Sequence, residues 1–434
     1  MRPRFTSGWH RSFERLLFLF RLAGYLLQPK RYPLFFVRPS KNGLLKTFRI
    51  ERKLGMNKSV RYDGRVFFSF TVPGYPSRAF DYAVARGALN IGGAGTASKS
   101  HVDNAILGIT SRCEYSCAHC YEKRNIRDEE CVPVDRWEAV IRDLQEIGVS
   151  VLILSGGEPM LRYDDLLRLV RSGDKDRSDF HLHTSGFGVT AERAHELKDA
   201  GLTAAAVGLD DVNPKRLDAL RGRSGAFDTA IAAVEHFSRA DVFTYLNLCL
   251  TPALVRSGDL WEYFEMANRL NVGIIEILEP RPCGGFQGRS MDGLFTAEDR
   301  LAVAEFVRLG NSERRYRNHP LLYSVVAMEA PDRMGCMMGG LSHFSIDSSG
   351  NVIPCVFVPI SFGNILKENL PVIFARMRQA VPSPIHKGCG SVLLADLYSD
   401  GKDGATAQFK DVREAWDDRL ARGTAIGVYS ERAF

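Results

Sequence analysis

The central part of the chain alternates short apolar runs with amphipathic stretches, and this alternation restricts the fold more than any other feature of the sequence. The runs that predict strands are Ala105 to Ile109, Ser150 to Leu154, Phe180 to Thr184, Ala204 to Leu209, Phe243 to Leu250 and Val272 to Leu278. The stretches that predict helices are Pro133 to Ile147, Tyr163 to Arg171, Ala191 to Ala200, Ala226 to Ser238, Asp259 to Arg269 and Thr296 to Leu309. Strands joined by helices indicate a parallel sheet, because a parallel pair needs a long crossover. Ligands of such sheets bind at the carboxyl ends of the strands.

Three cysteines follow the first predicted strand in the spacing C-x3-C-x2-C, at Cys113, Cys117 and Cys120. Three thiolates on one loop can hold three irons of a 4Fe-4S cluster, which leaves the fourth iron open to a small molecule. The alternative is a zinc site, for which His119 is a candidate fourth ligand. The chain has nine cysteines and no cleavable secretory signal, which predicts a cytoplasmic protein whose clustered thiols bind metal.

A glycine-rich turn, Ser155-Gly156-Gly157-Glu158-Pro159, follows the second predicted strand. Two glycines let the backbone approach a ligand closely, and main-chain groups with a carboxylate can hold an ammonium. Together with the three cysteines and Tyr121 directly after them, this turn resembles the signature of the radical S-adenosylmethionine (radical SAM) superfamily. The resemblance implies a 4Fe-4S cluster and S-adenosylmethionine as cofactors. It also implies a low-potential electron donor, such as flavodoxin or ferredoxin.

The same resemblance suggests which residues meet the cofactor. In the family, the Gly-Gly-Glu-Pro element holds the methionine amino group, so the whole turn from Gly156 to Pro159 is expected there. Ser185 ends the third strand, and Asp210 after the fourth is expected to reach the ribose hydroxyls, although a turn residue is the alternative. Asn247 on the fifth strand and the segment Ile275 to Glu279 on the sixth, with Ile275 as the chosen site residue, are expected to line the sulfonium and the adenine.

The reaction that the resemblance implies is reductive cleavage of S-adenosylmethionine to a 5'-deoxyadenosyl radical, which then abstracts hydrogen from a substrate C-H bond. The sequence assigns no catalytic residue and leaves the substrate open between a lipid or isoprenoid, a peptide and a small metabolite. The alternative class is a non-catalytic iron-sulfur protein that transfers electrons or senses redox state. The glycine-rich turn argues against this class, because an electron carrier needs no clamp for a cofactor amino group.

A second group of cysteines lies toward the C-terminus, at Cys336, Cys355 and Cys389. The segment from His343 to Pro354 predicts a hairpin around an Asp-Ser-Ser-Gly-Asn turn, which places the first two cysteines at opposite ends of a ribbon. The pattern resembles the SPASM and twitch domains that bind auxiliary iron-sulfur clusters. Three thiols leave a fourth ligand to be found, and the candidates are Cys283, His386 and Asp347. The alternative is that the three cysteines are buried apolar thiols, as expected for Cys131 and Cys249.

The N-terminal part is strongly basic. Residues 1–60 contain fourteen Lys or Arg and only two acids, Glu14 and Glu51, in a chain of net charge +6. Trp9 to Gln28 predicts a short amphipathic helix, interrupted by Arg21, that either lies at a membrane interface or packs on the protein. Peripheral contact with the inner face of a membrane is therefore expected as one alternative. Nucleic acid is not expected, since the basic residues are interleaved with Leu and Phe.

These observations predict an α/β fold, a partial (β/α)6 TIM-like barrel with a small C-terminal α+β cluster-binding domain and a basic N-terminal extension. The expected division is 1–104 for the basic region, 105–310 for the radical SAM barrel and 311–434 for the SPASM/twitch-like domain. With 45% apolar residues, the chain of 434 residues is long enough to bury a core in at least two such units.

Overall fold

The structure is a computed structural model that describes residues 1–6, 58–88, 101–331, 333–399 and 406–422. The predicted amphipathic helix Trp9 to Gln28 lies outside the described residues. Within the described ranges, no helix has the length and apolar character that crossing a membrane requires. Contact of the basic segment with a membrane therefore stays a prediction.

A mostly parallel sheet forms the centre of the described part of the chain. The described strands are β1 (Arg4–Thr6), β2 (Ser59–Tyr62), β3 (Arg65–Phe67), β4 (Val102–Thr110), β5 (Val149–Gly156), β6 (Asp179–Thr184), β7 (Ala204–Gly208), β8 (Phe243–Cys249), β9 (Ile274–Leu278), β10 (Leu321–Ser324), β11 (His343–Ile346), β12 (Val352–Ile353), β13 (Ile360–Ser361) and β14 (Ala407–Gln408). The central sheet has the order β10-β9-β8-β7-β6-β5-β4-β11-β12. All neighbours in it are parallel except β11 and β12. The six predicted strands are β4 to β9, which lie side by side in chain order.

Helices follow the strands of this sheet and cover its outer face. The described helices are α1 (Arg78–Ala85), α2 (Val134–Ile147), α3 (Tyr163–Ser172), α4 (Ala191–Asp199), α5 (Pro214–Arg221), α6 (Ala226–Arg239), α7 (Pro252–Arg256), α8 (Leu260–Arg269), α9 (Met291–Leu294), α10 (Ala297–Ser312), α11 (Val325–Met328), α12 (Leu370–Ala380), α13 (Gly390–Leu393), α14 (Asp396–Ser399) and α15 (Phe409–Arg422). Each of the six predicted helices is present, with ends that differ from the prediction by at most three residues. The predicted α/β class and partial barrel are confirmed.

The amino ends of the barrel strands are closed by the hairpin of β2 and β3. Its Phe67 ring stacks on Phe243, the first residue of β8, with 4.2 Å between the ring centres. Val60 packs in the same inward-facing cluster, together with Ile274 at the start of β9. Burying several large apolar side chains at this end stabilises the fold by roughly 1.5–3 kcal/mol each. This end is therefore filled, and space for a ligand is left toward the carboxyl ends.

The predicted hairpin from His343 to Pro354 consists of β11 and β12, and it joins the edge of the barrel sheet. β11 runs parallel to β4, with His343 opposite Asn104. Asp347 fixes the hairpin turn by accepting hydrogen bonds from the amides of Ser349 (3.0 Å) and Asn351 (2.9 Å). Residues on both sides of position 310 thus contribute strands to one sheet, and the division at that position stays a prediction.

Candidate functional site

The cysteine loop, residues 111–121, follows β4 and is held by the end of α5. The Ser116 amide donates to the Arg221 carbonyl (3.1 Å), and the Ala118 amide donates to the Leu220 carbonyl (2.9 Å). Both acceptors lie in the last turn of α5, where carbonyl groups have no partner inside the helix. The end of this helix therefore fixes the middle of the loop, from which the three thiols project.

The glycine pair that was predicted to approach a ligand also approaches the cysteine loop. The Gly157 amide donates to the Thr110 carbonyl (2.9 Å), and the Glu158 amide donates to the Arg112 carbonyl (2.8 Å). Gly156 has a φ of +131°, which residues with a side chain rarely adopt. A Cβ atom on Gly157 would collide with the Arg112 carbonyl oxygen. Glycine is therefore required where the turn after β5 crosses the start of the loop.

Replacing Gly157 with alanine is expected to displace the cysteine loop, because the new methyl group needs the space of the Arg112 carbonyl. Such a collision costs about 1–3 kcal/mol. Displacement of the thiols should remove about four irons per chain after anaerobic reconstitution, measured by iron analysis. The control is Gly293→Ala, since Gly293 is exposed and a Cβ there meets only the Ser290 hydroxyl. Equal iron content in the two variants would contradict this role of Gly157.

The Glu158 carboxylate is buried, and its hydrogen bonds join the ends of β5 and β6. One oxygen accepts from the Met160 amide (3.1 Å) and the Thr184 hydroxyl (2.7 Å), and the other accepts from the Ser185 amide (2.8 Å) and hydroxyl (2.5 Å). A carboxylate has about four acceptor sites, so these bonds use its capacity. Glu158 and Pro159 do not line the adjoining cavity, and their contact with the cofactor stays a prediction.

A cavity of about 430 Å³ lies at the carboxyl ends of the strands. The predicted cofactor and metal residues that line it are Cys113, Cys117, Cys120, Tyr121, Gly156, Gly157, Ser185, Asp210 and Asn247. Its volume falls within the range of about 300–1,000 Å³ that is typical of ligand sites. The fold therefore brings residues from the cysteine loop and from β5 to β8 around one space of the size that a cofactor needs.

The sixth strand of the barrel, β9, carries most of the expected segment Ile275 to Glu279, but Ile275 itself does not line this cavity. Ile275 packs with Ile277 in the core between the sheet and the helices. Glu276 and Leu278 line the cavity instead, since successive strand residues point to opposite faces. Glu276 lies within the expected segment Ile275 to Glu279 but was not its chosen site residue, and its charge within an apolar strand is the signal that favours it. The side-chain amide of Asn247 donates a hydrogen bond to the Glu276 carboxylate (3.3 Å).

Asp210 is buried and forms an ion pair with Arg221 of α5. Its Oδ1 accepts a hydrogen bond from the Cys249 amide (2.9 Å), and the His119 ring lies 3.5 Å from Oδ2, the oxygen that pairs with Arg221. The expected contact with a ribose therefore competes with the ion pair that holds the end of α5. Arg221 was not predicted as a site residue, although it lines the cavity. Gly208 on β7 has no side chain, and the Arg221 guanidinium occupies the space that a side chain there would need.

The thiols of the cysteine loop face the cavity as half-buried side chains. Burial raises the pKa of Cys113 to about 11 and of Cys120 to about 12, and it also raises the pKa of Cys117. Iron binds the thiolate, so cluster binding has to displace these protons. Among the described residues, no group of three His, Cys, Asp or Glu side chains is arranged around a single metal ion. A 4Fe-4S cluster takes each thiolate on a different iron, and three thiols at one cavity fit this arrangement.

A second cavity, of about 130 Å³, adjoins the first and is lined by Cys336, Cys355 and Cys389. The thiols of Cys336 and Cys389 share a hydrogen bond, which lowers the pKa of Cys389 and raises that of Cys336. Cys355 and Phe357 line both cavities. The three C-terminal cysteines, separated by up to 53 positions in the chain, thus meet at one site with thiol donors that suit an iron-sulfur cluster.

The predicted candidates for a fourth ligand do not line this second cavity. His386 is exposed, and its ring lies 2.9 Å from the Pro331 carbonyl. Asp347 is engaged in the hairpin turn, and Cys283 is buried outside the cavity wall. Of the two cysteines expected to be structural, Cys249 lines the first cavity and Cys131 lines neither.

Comparison with known protein families agrees with this geometry. The model of the radical SAM superfamily matches residues 107–266, and the model of SPASM, an iron-sulfur cluster-binding domain, matches residues 336–384. The chain therefore contains a radical SAM domain and a C-terminal SPASM domain. Its cofactors are a 4Fe-4S cluster, S-adenosylmethionine and an auxiliary iron-sulfur cluster.

Individual relatives are distant. The chain is 25% identical over 280 residues to an AdoMet-dependent heme synthase of Methanosarcina barkeri (strain Fusaro / DSM 804), which covers 60% of this chain and 78% of that protein. It is 29% identical over 255 residues to a PqqA peptide cyclase of Streptomyces rochei, covering 58% and 68% of the two chains. Among solved structures, Streptococcus suis SuiB bound to precursor peptide SuiA superposes with a TM-score of 0.51 at 15% identity, over 70% of this chain and 66% of that one. This last likeness shows the fold.

Proposed function

We propose that the protein cleaves S-adenosylmethionine reductively and uses the resulting 5'-deoxyadenosyl radical to abstract hydrogen from a C-H bond of a substrate in the first cavity. The observation that carries this proposal is the convergence of the three loop thiols, the glycine pair and Asn247 on a single cavity of about 430 Å³. A non-catalytic iron-sulfur protein has no use for a cofactor-sized cavity beside its cluster. The geometry therefore supports catalysis over electron transfer alone.

The chain's own residues hold and orient the reactants. Cys113, Cys117 and Cys120 would ligate three irons, and the cluster would supply the electron that cleaves the cofactor. Tyr121 lies directly after the last thiol, and its hydroxyl is 2.9 Å from the Ser155 hydroxyl at the end of β5. This contact fixes the ring at the cavity wall. The filled amino end of the barrel limits access of water, which protects a reactive species from side reactions.

Part of the cavity wall is apolar. The apolar residues that line the cavity include Phe68, Phe70, Val72, Phe80, Met328, Met334 and Met337. Such a wall suits a substrate with an apolar portion, which supports a lipid or isoprenoid chain or the apolar side chain of a peptide. The likeness to a peptide cyclase gives additional support to a peptide. Electron supply by flavodoxin or ferredoxin stays a prediction.

The test is the release of 5'-deoxyadenosine and methionine. Protein reconstituted anaerobically with iron and sulfide, then given dithionite and S-adenosylmethionine, should form both products, measured by chromatography and mass spectrometry. Addition of the true substrate should transfer deuterium from a labelled C-H position into 5'-deoxyadenosine. A protein that holds its irons at the cysteine loop and forms neither product would contradict the proposal.

Glu276 gives a pH-dependent prediction for the same cavity. Burial raises its pKa from 4.5 to about 8. Between these values the folded protein retains a proton that the unfolded chain has lost, so the free energy of unfolding should fall as pH rises. The slope from this one group is at most about 1.4 kcal/mol per pH unit. Glu276→Gln, which keeps the shape without the titration, should therefore gain stability relative to the parent between pH 5 and pH 8.

The measurement is anaerobic urea unfolding at several pH values in that interval. Glu235→Gln is the control, because Glu235 is exposed and its replacement reports the effect of removing one negative charge from the protein as a whole. Unfolding free energies of the parent and Glu276→Gln that stay parallel across the interval would show that Glu276 is ionised in the folded state.

A further inference from the structure

Arg281 is a buried basic residue that faces the three C-terminal cysteines. It follows β9, its side chain is 7% exposed, and it lines the second cavity with Cys336, Cys355 and Cys389. Burial lowers the pKa of its guanidinium, but the charges of nearby groups, with Cys389 the largest contributor, outweigh burial and raise it. A permanent positive charge therefore sits at the wall of the cavity that holds the thiols.

The other contacts of Arg281 are weak for a buried guanidinium. Within the described residues, one terminal nitrogen lies 3.7 Å from the Glu279 carboxylate and 4.0 Å from the Met291 sulfur. An oxygen at 3.7 Å is beyond hydrogen-bond distance. The same Glu279 oxygen lies closer, at 3.3 Å, to Arg300. Glu279 thus forms an ion pair with Arg281 at a distance too long for a hydrogen bond, and Arg281 lines the cavity.

The remaining ionisable pair at this cavity adds no net charge. Glu329 and His343 line it together and lie 3.5 Å apart. Their charges sum to zero whether both side chains are neutral or both are ionised. A buried charge is stable only when it is paired with an opposite charge and hydrogen-bonded. The guanidinium of Arg281 therefore faces a site that an anionic group would complete.

We propose that Arg281 supplies the counter-charge of the auxiliary cluster held by Cys336, Cys355 and Cys389 and raises its reduction potential. Three thiolates and an oxidised 4Fe-4S core sum to about −1, which one guanidinium balances. Reduction adds a further negative charge beside the guanidinium, so the cation stabilises the reduced state more than the oxidised one. Charge and N-H groups near the sulfurs are established determinants of cluster potential. Arg281 acts through the cluster and is a positioning residue.

The experiment uses the full chain with Cys113, Cys117 and Cys120 replaced by alanine, so that only the auxiliary cluster is present. Arg281→Gln removes the charge, and Arg281→Lys keeps it as the matched control. The midpoint potential is measured by anaerobic spectroelectrochemical titration, after circular dichroism shows that each variant is folded. The potential should become more negative in Arg281→Gln, while Arg281→Lys should stay close to the parent.

Loss of the auxiliary iron in Arg281→Gln with retention in Arg281→Lys would also support the proposal, because only Arg281→Gln removes the positive charge. Equal potentials in the parent and Arg281→Gln, or equal shifts in both variants, would overturn it. Absence of iron in the parent would overturn it as well, since no auxiliary cluster would then need a counter-charge. Cleavage of S-adenosylmethionine is measured on protein with the cysteine loop intact. The result of that measurement is therefore independent of the test of Arg281.

Discussion

Protein in which Cys113, Cys117 and Cys120 are all replaced by alanine is expected to release no 5'-deoxyadenosine from S-adenosylmethionine. The three thiols line one cavity and are the residues that would ligate three irons. Removing all of them eliminates the site at which the electron reaches the cofactor, so the rate should fall to the level without enzyme. The measurement is product formation under dithionite reduction, with iron content and circular dichroism recorded on the same samples.

Cys131→Ala is the matched control for this variant. Cys131 lies shortly after the cysteine loop in the chain but lines neither cavity. It should therefore retain both product formation and iron content. Undiminished turnover by the triple variant would show that the radical chemistry does not depend on the cysteine loop.

Replacement of Asp210 with asparagine is expected to have the largest effect on stability. The variant leaves the Arg221 guanidinium without its carboxylate partner in a buried position. Breaking a buried ion pair in this way costs about 3–5 kcal/mol. The nearby His119 carries no negative charge in either protonation state, so it does not replace the lost carboxylate. The main-chain carbonyl of Arg221 also accepts a hydrogen bond from the Ser116 amide of the cysteine loop. Displacement of Arg221 should therefore disorder this loop and lower the iron content.

Urea unfolding under anaerobic conditions measures this loss. The control is Asp211→Asn at the neighbouring position, since Asp211 is also buried and paired but its partner Arg216 keeps a second carboxylate, Asp259. We expect a loss of about 1 kcal/mol there and an unchanged iron content. If the two variants were equally stable, the Asp210 ion pair would not be what holds the end of α5.

The sequence by itself determined the elements that depend on neighbouring positions. The alternation of apolar runs and amphipathic stretches located β4 to β9 and the helices between them. A strand repeats its side-chain direction every 2 residues and a helix every 3.6, so both patterns can be recognised from residues that are close in the sequence. The spacing of Cys113, Cys117 and Cys120 placed three thiols on one loop, since seven peptide units limit their separation. The family resemblance then supplied the cofactors, which the family models support.

Only the tertiary structure decided which side chains use each other as partners. Glu158 is expected at the cofactor from the sequence, and the structure adds that the packing of β5 and β6 places its carboxylate against Thr184 and Ser185. The pleat of β9 turns Ile275 to the helices and Glu276 to the cavity. A single sequence does not predict such side-chain partners, because they depend on the packing of strands that are far apart in the chain.

The same reason explains the second cavity. The three C-terminal cysteines could be grouped by resemblance, but the guanidinium of Arg281 comes to them from the end of β9, more than fifty positions before Cys336. No local pattern marks an arginine for this position. The pairing of β11 with β4 and the path of the loop after β9 bring Arg281 to the cavity that Cys336, Cys355 and Cys389 line, so this placement is a property of the folded chain.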